Sequence, residues 1–379
     1  MRVLHLVKTS VGATWALIQM RELVRLGVEV HVTLPEDAGL APQYRENGIK
    51  VHILDSAISV TQPLSNPKRF ERLRSLVDQI QPDLIHSYFV QTTLTMRLAL
   101  RNYSIPRLFH VRGILHLEHT LFAQLDIRSS TKDDYWMGVC KWIPAKYISL
   151  GIPAHRVFLV YSAQDIVEDV TMHRGYLRKI LGFTPDDLLV GMVAYMYPPK
   201  RYLGQLQGLK RHEDLIDALA ICRAKGLPVH GIFVGGAYLN AQRYEQKVRK
   251  YGERKLGDKA IFLGTRNDVM QLYPDFNVVV HPSITEGLGN PRESLMMAIP
   301  TIATNVGGHP DAVIPDETGW LVPPRNPQAL AVAIEEVLQN PQHARRLAQN
   351  GRALVQRLTD SSIVAQEVLN AYHAMLSEY

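Results

Sequence analysis

The stretch RVLHLVKTSVGATWALIQMRELVRLGVEVHVTLP, residues 2–35, decides the fold class. An aliphatic run at 2–7 is followed by a segment at 14–27 with apolar residues at helical spacing, and then by a second aliphatic run at 28–35. Short apolar runs that alternate with amphipathic helices are typical of βαβ units, which build parallel sheets. The sequence therefore predicts an α/β fold.

The same alternation continues along the chain and starts afresh after a polar stretch from Gln164 to His173. We predict two Rossmann-like, doubly wound parallel-sheet domains that face a central cleft. The first is residues 1–170, joined by the last helix at about 360–379, and the second is residues 185–360. Open α/β sheets bind ligands at the carboxyl ends of their strands, so the cleft is the expected active site.

Composition places the chain among soluble globular proteins, because 46% of its 379 residues are hydrophobic and 21% are charged. No apolar run is long enough for a spanning helix, and the N-terminal residues do not have the layout of a signal peptide. Cys140 and Cys222 lie far apart, without the spacing of a zinc site. We expect a protein of the reducing cytoplasm.

Charge is distributed unevenly along the chain. Residues 1–180 hold 22 Lys+Arg and 16 Asp+Glu, so the net charge of +6 comes from this half. Lys68, Arg69, Arg72 and Arg74 crowd one predicted helix. This basic half is a candidate for peripheral contact with an anionic membrane at the inner face, although a solvated helix face has the same pattern. No nucleic acid partner is expected.

The segment HPSITEGLGNPRESLMMAIPTIATNVGGHPDAV, residues 281–313, is the densest functional pattern. It predicts a strand, a glycine-rich turn with Glu286, a helix with Glu293, and another strand. Gly287 and Gly289 leave backbone N–H groups accessible beside a helix N-terminus, an arrangement that suits an anionic group or sugar hydroxyls. The alternative is that Glu293 only complements the dipole of its own helix.

This segment resembles the motif of the retaining GT-B glycosyltransferases of family 4, the glycosyl transferases group 1. Further segments follow in that family's order: DLIHSY, YISLGIPAHRVFLVYSA, GLKRHEDLIDAL, FLGTRNDVMQLYPDFNVVVHPS and TGWLVPPRNPQALAVAI. The resemblance implies a retaining hexosyltransferase that needs neither metal nor cofactor. Its donor would be a UDP- or GDP-linked sugar, and its acceptor a glycan, a lipid-linked glycan or a small molecule, as in polysaccharide biosynthesis.

The resemblance also implies residue roles in donor binding. Glu293 would accept hydrogen bonds from the ribose hydroxyls, since a carboxylate can accept from both. Lys210 would neutralise the diphosphate as the glycosidic bond breaks. Glu286 would hold the donor sugar together with the N–H groups of Gly287, Leu288, Gly289 and Asn290.

Two departures from the family pattern affect the donor side. Glu286 and Glu293 are seven positions apart rather than eight, which leaves the geometry on the sugar side open. Tyr195 stands where the family usually has an arginine. Lys200 or Arg201, in the insertion YPPKRYLGQLQG, is the candidate that would supply the missing cation, the alternative being a plain surface loop.

The first domain contributes further candidates. Gly12, after the first strand, allows a ligand to approach the backbone, or is a plain turn residue. Arg112 ends an inner strand where the family commonly has a histidine near the reacting sugar, and we predict a catalytic role for it. The acceptor-side candidates around it are His110, His116 and Glu118.

Two alternative functions stay open. One is a nucleotide-sugar epimerase on the same scaffold, and the other is a catalytically silent sugar-binding partner. Neither the three-glycine dinucleotide pattern nor a P-loop occurs. Because no Asp-X-Asp sequence occurs in the chain, the usual metal clamp of the other glycosyltransferase fold lacks its ligands, and no metal is expected.

Overall fold

A computed structural model of the chain describes residues 1–59, 61–165, 168–201 and 204–379. The chain divides into two compact units. The first comprises Met1–Asp165 and Leu358–Tyr379, and the second Ile166–Arg357. Each unit is built around one parallel sheet, so the predicted pair of doubly wound α/β sheets is confirmed.

The sheet of the first unit has seven parallel strands. They are β1 (Arg2–Leu6), β2 (Glu29–Leu34), β3 (Lys50–Ile53), β4 (Leu84–Ser87), β5 (Arg107–Val111), β6 (Asp134–Gly138) and β7 (Val157–Leu159). Their order is β3-β2-β1-β4-β5-β6-β7, and Val3 of β1 is paired with Leu84 of β4. The strand order therefore reverses between β1 and β4, the position at which doubly wound sheets bind ligands.

Helices cover this sheet. They are α1 (Thr14–Arg25), α2 (Ala41–Glu46), α3 (Asn66–Ile80), α4 (Val90–Ala99), α5 (Leu115–Glu118), α6 (Thr120–Ser129) and α7 (Trp142–Ser149). In α1 the buried residues Ala16, Met20 and Leu23 recur at the spacing of one helix face. That apolar face packs in the same core as β1 and β2, as the opening βαβ pattern requires.

The sheet of the second unit has six parallel strands. They are β8 (Leu188–Val193), β9 (Val229–Val234), β10 (Ala260–Gly264), β11 (Val278–His281), β12 (Thr301–Thr304) and β13 (Trp320–Val322). Their order is β10-β9-β8-β11-β12-β13, so the reversal falls between β8 and β11. The loops that follow β8 and β11 thus leave the sheet side by side.

The helices of the second unit complete its layers. They are α8 (Tyr176–Leu181), α9 (His212–Ala224), α10 (Gln242–Leu256), α11 (Val269–Leu272), α12 (Gly289–Met296), α13 (Pro327–Gln339) and α14 (Pro341–Thr359). Buried residues of α9 and α13, such as Leu215, Leu219, Leu330 and Ile334, share one core with β8 and β11. The core thereby holds rigid the strand ends from which the site loops emerge.

The last helix, α15 (Ser361–Ser377), belongs to the first unit. Its N-cap is Asp360, whose carboxylate accepts hydrogen bonds from the N–H groups of Ser362 and Ile363. Val364, Val368 and Tyr372 are buried in the core that contains α1. The C-terminal segment therefore completes the hydrophobic core of the first unit.

Candidate active site

A cavity of about 410 Å³ lies at the carboxyl ends of β8 and β9 and beside α12. A cavity of this volume is large enough for a small-molecule ligand. Its lining residues lie mainly just after strands or at the N-terminus of α12: Val193, Ala194, Tyr195, Tyr197, Lys210, Val234, Gly235, Thr265, Arg266, Val269, Met270, Asn290 and Glu293. The structure thus brings together four predicted donor-binding residues, Tyr195, Lys210, Asn290 and Glu293.

Lys210 forms a direct ion pair with Glu286. Lys210 lies just before α9, in a loop whose Leu209 carbonyl accepts a hydrogen bond from the N–H of Ile284 at 3.0 Å. This bond ties the lysine loop to the loop that carries Glu286. The two side chains are only 12% and 17% exposed, so the pair is partly shielded from solvent and more strongly coupled than a surface pair.

Glu293 lies on α12, and its carboxylate accepts a hydrogen bond from the hydroxyl of Tyr273 at 3.3 Å. Burial raises the pKa of Glu293, because the low-dielectric interior disfavours the carboxylate. The next residue, Ser294, lies 3.0 Å from Nε2 of His281 and accepts from the hydroxyl of Thr301 at 2.8 Å. These bonds hold α12 against β11 and β12 and so orient Glu293.

The glycine-rich loop approaches the Glu286 carboxylate. Gly287 and Leu288 are buried, whereas Gly289 is exposed and begins α12. A Cβ at Gly289 would lie 3.6 Å from Oε1 of Glu286. The N-terminal N–H groups of a helix carry partial positive charge, so this end of α12 suits a negatively charged or hydroxyl-bearing ligand.

Gly235, after β9, permits a close approach at the floor of the cavity. Its φ of +119° lies in the left-handed region, and an added Cβ would lie 2.2 Å from the carbonyl oxygen of Ala194. Both conditions exclude a side chain. The sequence analysis missed Gly235 because one glycine after a strand is no motif.

Tyr195 stands where the family pattern has an arginine near β8, and two further tyrosines lie close to it. Tyr195 is 45% exposed, and its ring centroid lies 6.1 Å from that of Tyr238, which in turn lies 4.4 Å from that of Tyr197. Burial raises the pKa of Tyr197 to about 12, so this tyrosine is neutral. The edge of the cavity therefore has an aromatic surface where a cation was expected.

Arg266 is a second cation in the lining of this cavity, and the sequence analysis missed it. It follows β10, and its Nε donates a hydrogen bond to Oδ1 of Asp268 at 2.7 Å. Lys200 is partly buried and Arg201 is exposed, and the described lining includes neither. A donor-binding role for Arg201 stays a prediction. Arg266 lies just after a strand, and this position was the feature of the sequence that could have indicated a place in a ligand site.

A separate cavity of about 490 Å³ in the first unit contains Arg112 and His116. The Arg112 guanidinium carbon lies 3.4 Å from the ring centroid of Trp15, a cation–π contact. Further lining residues are Tyr88, Phe89, Val90, Gln91, Phe109, Gly113 and Leu115. The cavity thus combines aromatic surface with a positive charge.

His110 lies in the interior of the first unit rather than in this lining. It is fully buried, and its Nδ1 is 3.2 Å from Nε2 of His86, whose Nδ1 is 2.5 Å from the hydroxyl of Tyr372. Burial lowers the pKa of His110 well below its usual value. Alternation along β5 predicted the shared face of His110 and Arg112, but not that His110 is fully buried beside His86.

The other candidates of the first unit are more exposed. Nε2 of His116 lies 3.4 Å from the hydroxyl of Tyr147 and 3.7 Å from Oδ2 of Asp126. Glu118 is exposed at the end of α5, and Gly12 is exposed with a φ of +77°. Among the described residues, neither Gly12 nor Glu118 lines the cavity of Arg112.

In 1–59, 61–165, 168–201 and 204–379, no cluster of three or more His, Cys, Asp or Glu is arranged to hold a metal ion. No helix within these ranges is both long and apolar enough to cross a membrane. On α3, Lys68 and Arg72 are exposed and Arg69 pairs with Asp55. Membrane contact through α3 stays a prediction.

Two protein-family models match the chain. The glycosyl transferases group 1 model matches residues 201–354, and the glycosyl transferase 4-like domain model matches residues 13–163. The first match contains Lys210, Glu286 and Glu293, and the second contains Arg112. Together the two matches cover most of both units.

Known proteins resemble the chain in sequence and fold. The capsular polysaccharide biosynthesis glycosyltransferase CapM of Staphylococcus aureus is 28% identical over 47% of this chain and 46% of its own length. The chain spans about half the length of the curated relatives that it matches in this way.

Among solved structures, Anabaena HepE in complex with UDP-glucose matches with a TM-score of 0.79 at 22% identity over 100% of both chains. Sucrose-phosphate synthase of Thermosynechococcus elongatus matches with a TM-score of 0.78 at 19% identity, again over 100% of both chains. At these identities the structural likeness shows the fold. The two family models, which together match most of the chain, show that it belongs to the glycosyltransferases of family 4, the glycosyl transferases group 1, and the structural likeness shows the GT-B fold.

Proposed function

We propose that the chain transfers a sugar from a UDP-sugar to a glycan or lipid-linked acceptor, with retention of anomeric configuration and without a metal ion or other cofactor. The observation that carries this proposal is the Lys210–Glu286 ion pair beside Glu293, at a cavity on the carboxyl ends of the second sheet. A nucleoside diphosphate sugar needs a cation, a ribose acceptor and a sugar-holding group in one place. The second unit supplies all three.

The nucleotide would occupy the cavity itself. Val193, Val234, Val269 and Met270 provide an apolar surface for the base, and Tyr195 lies at the same cavity. Glu293 on α12 accepts hydrogen bonds from the ribose hydroxyls. HepE, the neighbour described above, is seen with UDP-glucose, and this supports uridine as the base.

Lys210 would stabilise the leaving diphosphate. As the glycosidic bond breaks, negative charge develops on the bridging oxygen, and a fixed ammonium in a partly buried site stabilises that charge. Retention would follow if the leaving phosphate oxygen takes the acceptor proton on the face from which it departs. No carboxylate of the chain is needed as a nucleophile in this scheme.

The acceptor would bind to residues of the first unit. The cavity of Arg112 offers aromatic faces for sugar rings and a guanidinium for an anionic group such as a phosphate. This chemistry suits a lipid-linked glycan that carries phosphate. CapM is named for capsular polysaccharide biosynthesis, which supports a polysaccharide acceptor for this chain.

The first experiment is ligand-induced thermal stabilisation of the purified chain with UDP, GDP, ADP, NAD, UDP-glucose and GDP-mannose, with EDTA or with Mg²⁺. Saturation at 100 times Kd stabilises the folded state by about 2.7 kcal/mol. We expect UDP and UDP-glucose to raise Tm equally with and without Mg²⁺. Stabilisation by NAD alone, or only with Mg²⁺, would contradict the proposal.

Product analysis separates the alternative functions. NMR of the sugar product reports whether the α-configuration of the donor is retained once an acceptor extract is added. An epimerase would change the UDP-sugar without any acceptor, and a silent partner would bind it without releasing UDP. Release of UDP with transfer to the acceptor, in EDTA, is the expected result.

A further inference from the structure

His309 is a buried histidine in the turn that is hydrogen-bonded to the Glu286 loop, and it has no role in the scheme above. It begins a short 3-10 helix, His309–Asp311, directly after Gly307 and Gly308, and it is fully buried. Its Nδ1 lies 2.8 Å from the carbonyl oxygen of Thr304. Because a carbonyl oxygen only accepts hydrogen bonds, Nδ1 carries the hydrogen and Nε2 is left as an acceptor.

This acceptor is unsatisfied in the ligand-free chain. Nε2 of His309 is buried and has no hydrogen-bond partner among the described residues. Burial lowers the pKa of His309 to about 4, so the ring is neutral at pH 7 and Nε2 keeps its lone pair. Buried polar atoms in native proteins are nearly always paired, and an exception calls for a ligand or a role.

Two contacts place His309 next to the sugar-holding loop. The N–H of Gly308 donates to the carbonyl oxygen of Glu286 at 3.2 Å, which joins the turn of His309 to the Glu286 loop. Glu286 and Lys210 are also the charged groups that act electrostatically on the imidazole. The free acceptor of His309 therefore lies close to the Lys210–Glu286 ion pair.

A second unsatisfied atom lies in the same region. The hydroxyl of Thr304 donates to the carbonyl oxygen of Ser283 at 2.5 Å, and Oγ of Ser283 is buried without a partner among the described residues. Thr304 thus connects two buried polar side chains that lack partners. Two unpaired buried polar atoms therefore lie on residues that Thr304 links by hydrogen bonds.

We propose that His309 is a specificity-determining residue for the donor sugar, whose Nε2 accepts a hydrogen bond from one sugar hydroxyl beside the Glu286 carboxylate. The inference rests on the proposed function. When Lys210 turns to the diphosphate, the carboxylate and the imidazole are left as two adjacent acceptors. Two adjacent acceptors match two neighbouring hydroxyl groups, so a donor sugar lacking one of them binds less well.

His309→Asn tests this with little change in shape. The side-chain amide of asparagine can donate to Thr304 as Nδ1 does, but it has no atom at the position of Nε2. Calorimetry with UDP and with UDP-glucose, for wild type and H309N, compares nucleotide binding with sugar binding. We expect UDP to bind both proteins equally and UDP-glucose to bind H309N roughly tenfold more weakly, the effect of one lost hydrogen bond.

Deoxy donors identify the hydroxyl. UDP-glucose lacking the hydroxyl at position 2, 3, 4 or 6 of the sugar is compared in both proteins. The analogue that lacks the partner of His309 should bind wild type and H309N with the same affinity, because the interaction is already absent. The other analogues should keep the roughly tenfold difference. An equal difference for all four would overturn the assignment.

The remaining outcomes are distinct. If wild type binds neither UDP nor UDP-glucose, the proposed function itself fails. If H309N binds UDP and UDP-glucose with equally reduced affinity, or binds both with unchanged affinity, the proposed function stands. The proposed role of His309 is then wrong. If H309N does not fold, His309→Gln restores an acceptor near Nε2 without the Thr304 contact, and it should retain the wild-type ratio of UDP to UDP-glucose affinity. A changed ratio would overturn the proposal.

Discussion

The ammonium group of Lys210 and the carboxylate of Glu286, 76 positions apart in sequence, form a direct ion pair in the second unit. The pair joins the loop before α9 to the loop after β11. While Lys210 is paired with the carboxylate, much of its positive charge is already neutralised. Donor binding should therefore replace the carboxylate with the diphosphate and release Glu286 for the sugar.

Lys210→Ala should lower kcat by about 100-fold or more, because the developing charge on the leaving diphosphate loses its fixed cation. UDP release in steady-state assays measures the effect. The exposed Lys247→Ala on α10 is the matched control and should retain full activity. Normal turnover by K210A would exclude Lys210 from leaving-group stabilisation.

Glu293→Gln should weaken UDP binding by at least about tenfold, since hydrogen bonds from the ribose to a carboxylate are stronger than those to an amide. The same change should not lower Tm. Burial raises the pKa of Glu293, so above that pKa the charged form destabilises the folded state, and its removal relieves this penalty. Calorimetry and thermal unfolding at pH 7 measure both. A lower Tm with unchanged UDP affinity would show a purely structural role.

The raised pKa of Glu293 also predicts a pH dependence of wild-type UDP binding. As the pH falls, Glu293 gains its proton at a higher pH than an ordinary glutamate, and the affinity for UDP should fall with it. Calorimetric titrations between pH 4 and 8 measure this. In E293Q the decline should be smaller, because only the protonation of the UDP phosphate remains, and an identical pH profile in both proteins would contradict the ribose assignment.

Gly235→Ala should destabilise the chain by about 3 kcal/mol or more and abolish UDP binding, because its Cβ would overlap the carbonyl oxygen of Ala194 in a left-handed backbone. Gly226→Ala is the matched control. Its φ is +89°, but an added Cβ meets nothing within 4 Å, so backbone strain of about 1–2 kcal/mol is the expected effect. Urea unfolding of both variants checks the difference. Equal losses of stability in the two variants would mean that the close approach of Gly235 to the Ala194 carbonyl does not contribute.

Arg112→Ala should reduce transfer to the acceptor by roughly tenfold or more while UDP affinity stays unchanged, since a charged hydrogen-bond donor is lost from the first unit only. Arg112→Lys keeps the charge but loses the planar stack on Trp15, and it should show an intermediate loss. Initial rates at varied acceptor concentration measure both variants. A parallel fall in UDP affinity would assign Arg112 to the donor instead.

Much of the architecture could be predicted from sequence. Alternation of apolar strands and amphipathic helices predicted both parallel sheets, because each strand must be buried on two faces and each helix on one. The resemblance of residues 281–313, together with the further segments in the family's order, predicted the family even though the spacing of Glu286 and Glu293 departs from its pattern. These patterns lie within short segments, so they can be recognised from the sequence alone.

The set of residues that line the two cavities was harder to predict from the sequence. Arg266 and Gly235 line the cavity of the second unit although no motif contains them, and His110 is fully buried although its strand position suggested access. Each depends on which loops leave neighbouring strands and on which helix packs over them. Such contacts join positions that are far apart in the chain, so the spacing of residues along the sequence does not reveal these contacts.

By itself, the sequence determined the α/β class of both units, the family and the candidate residues Lys210, Glu286 and Glu293, because periodicity and motifs are properties of short segments. Only the tertiary structure decided that Lys210 is paired with Glu286, that Tyr197 and Tyr238 lie beside each other near Tyr195, and that His309 has a free acceptor. The physical reason is that pairing and burial are set by the strand order β8-β11-β12, which brings separate loops to one sheet edge.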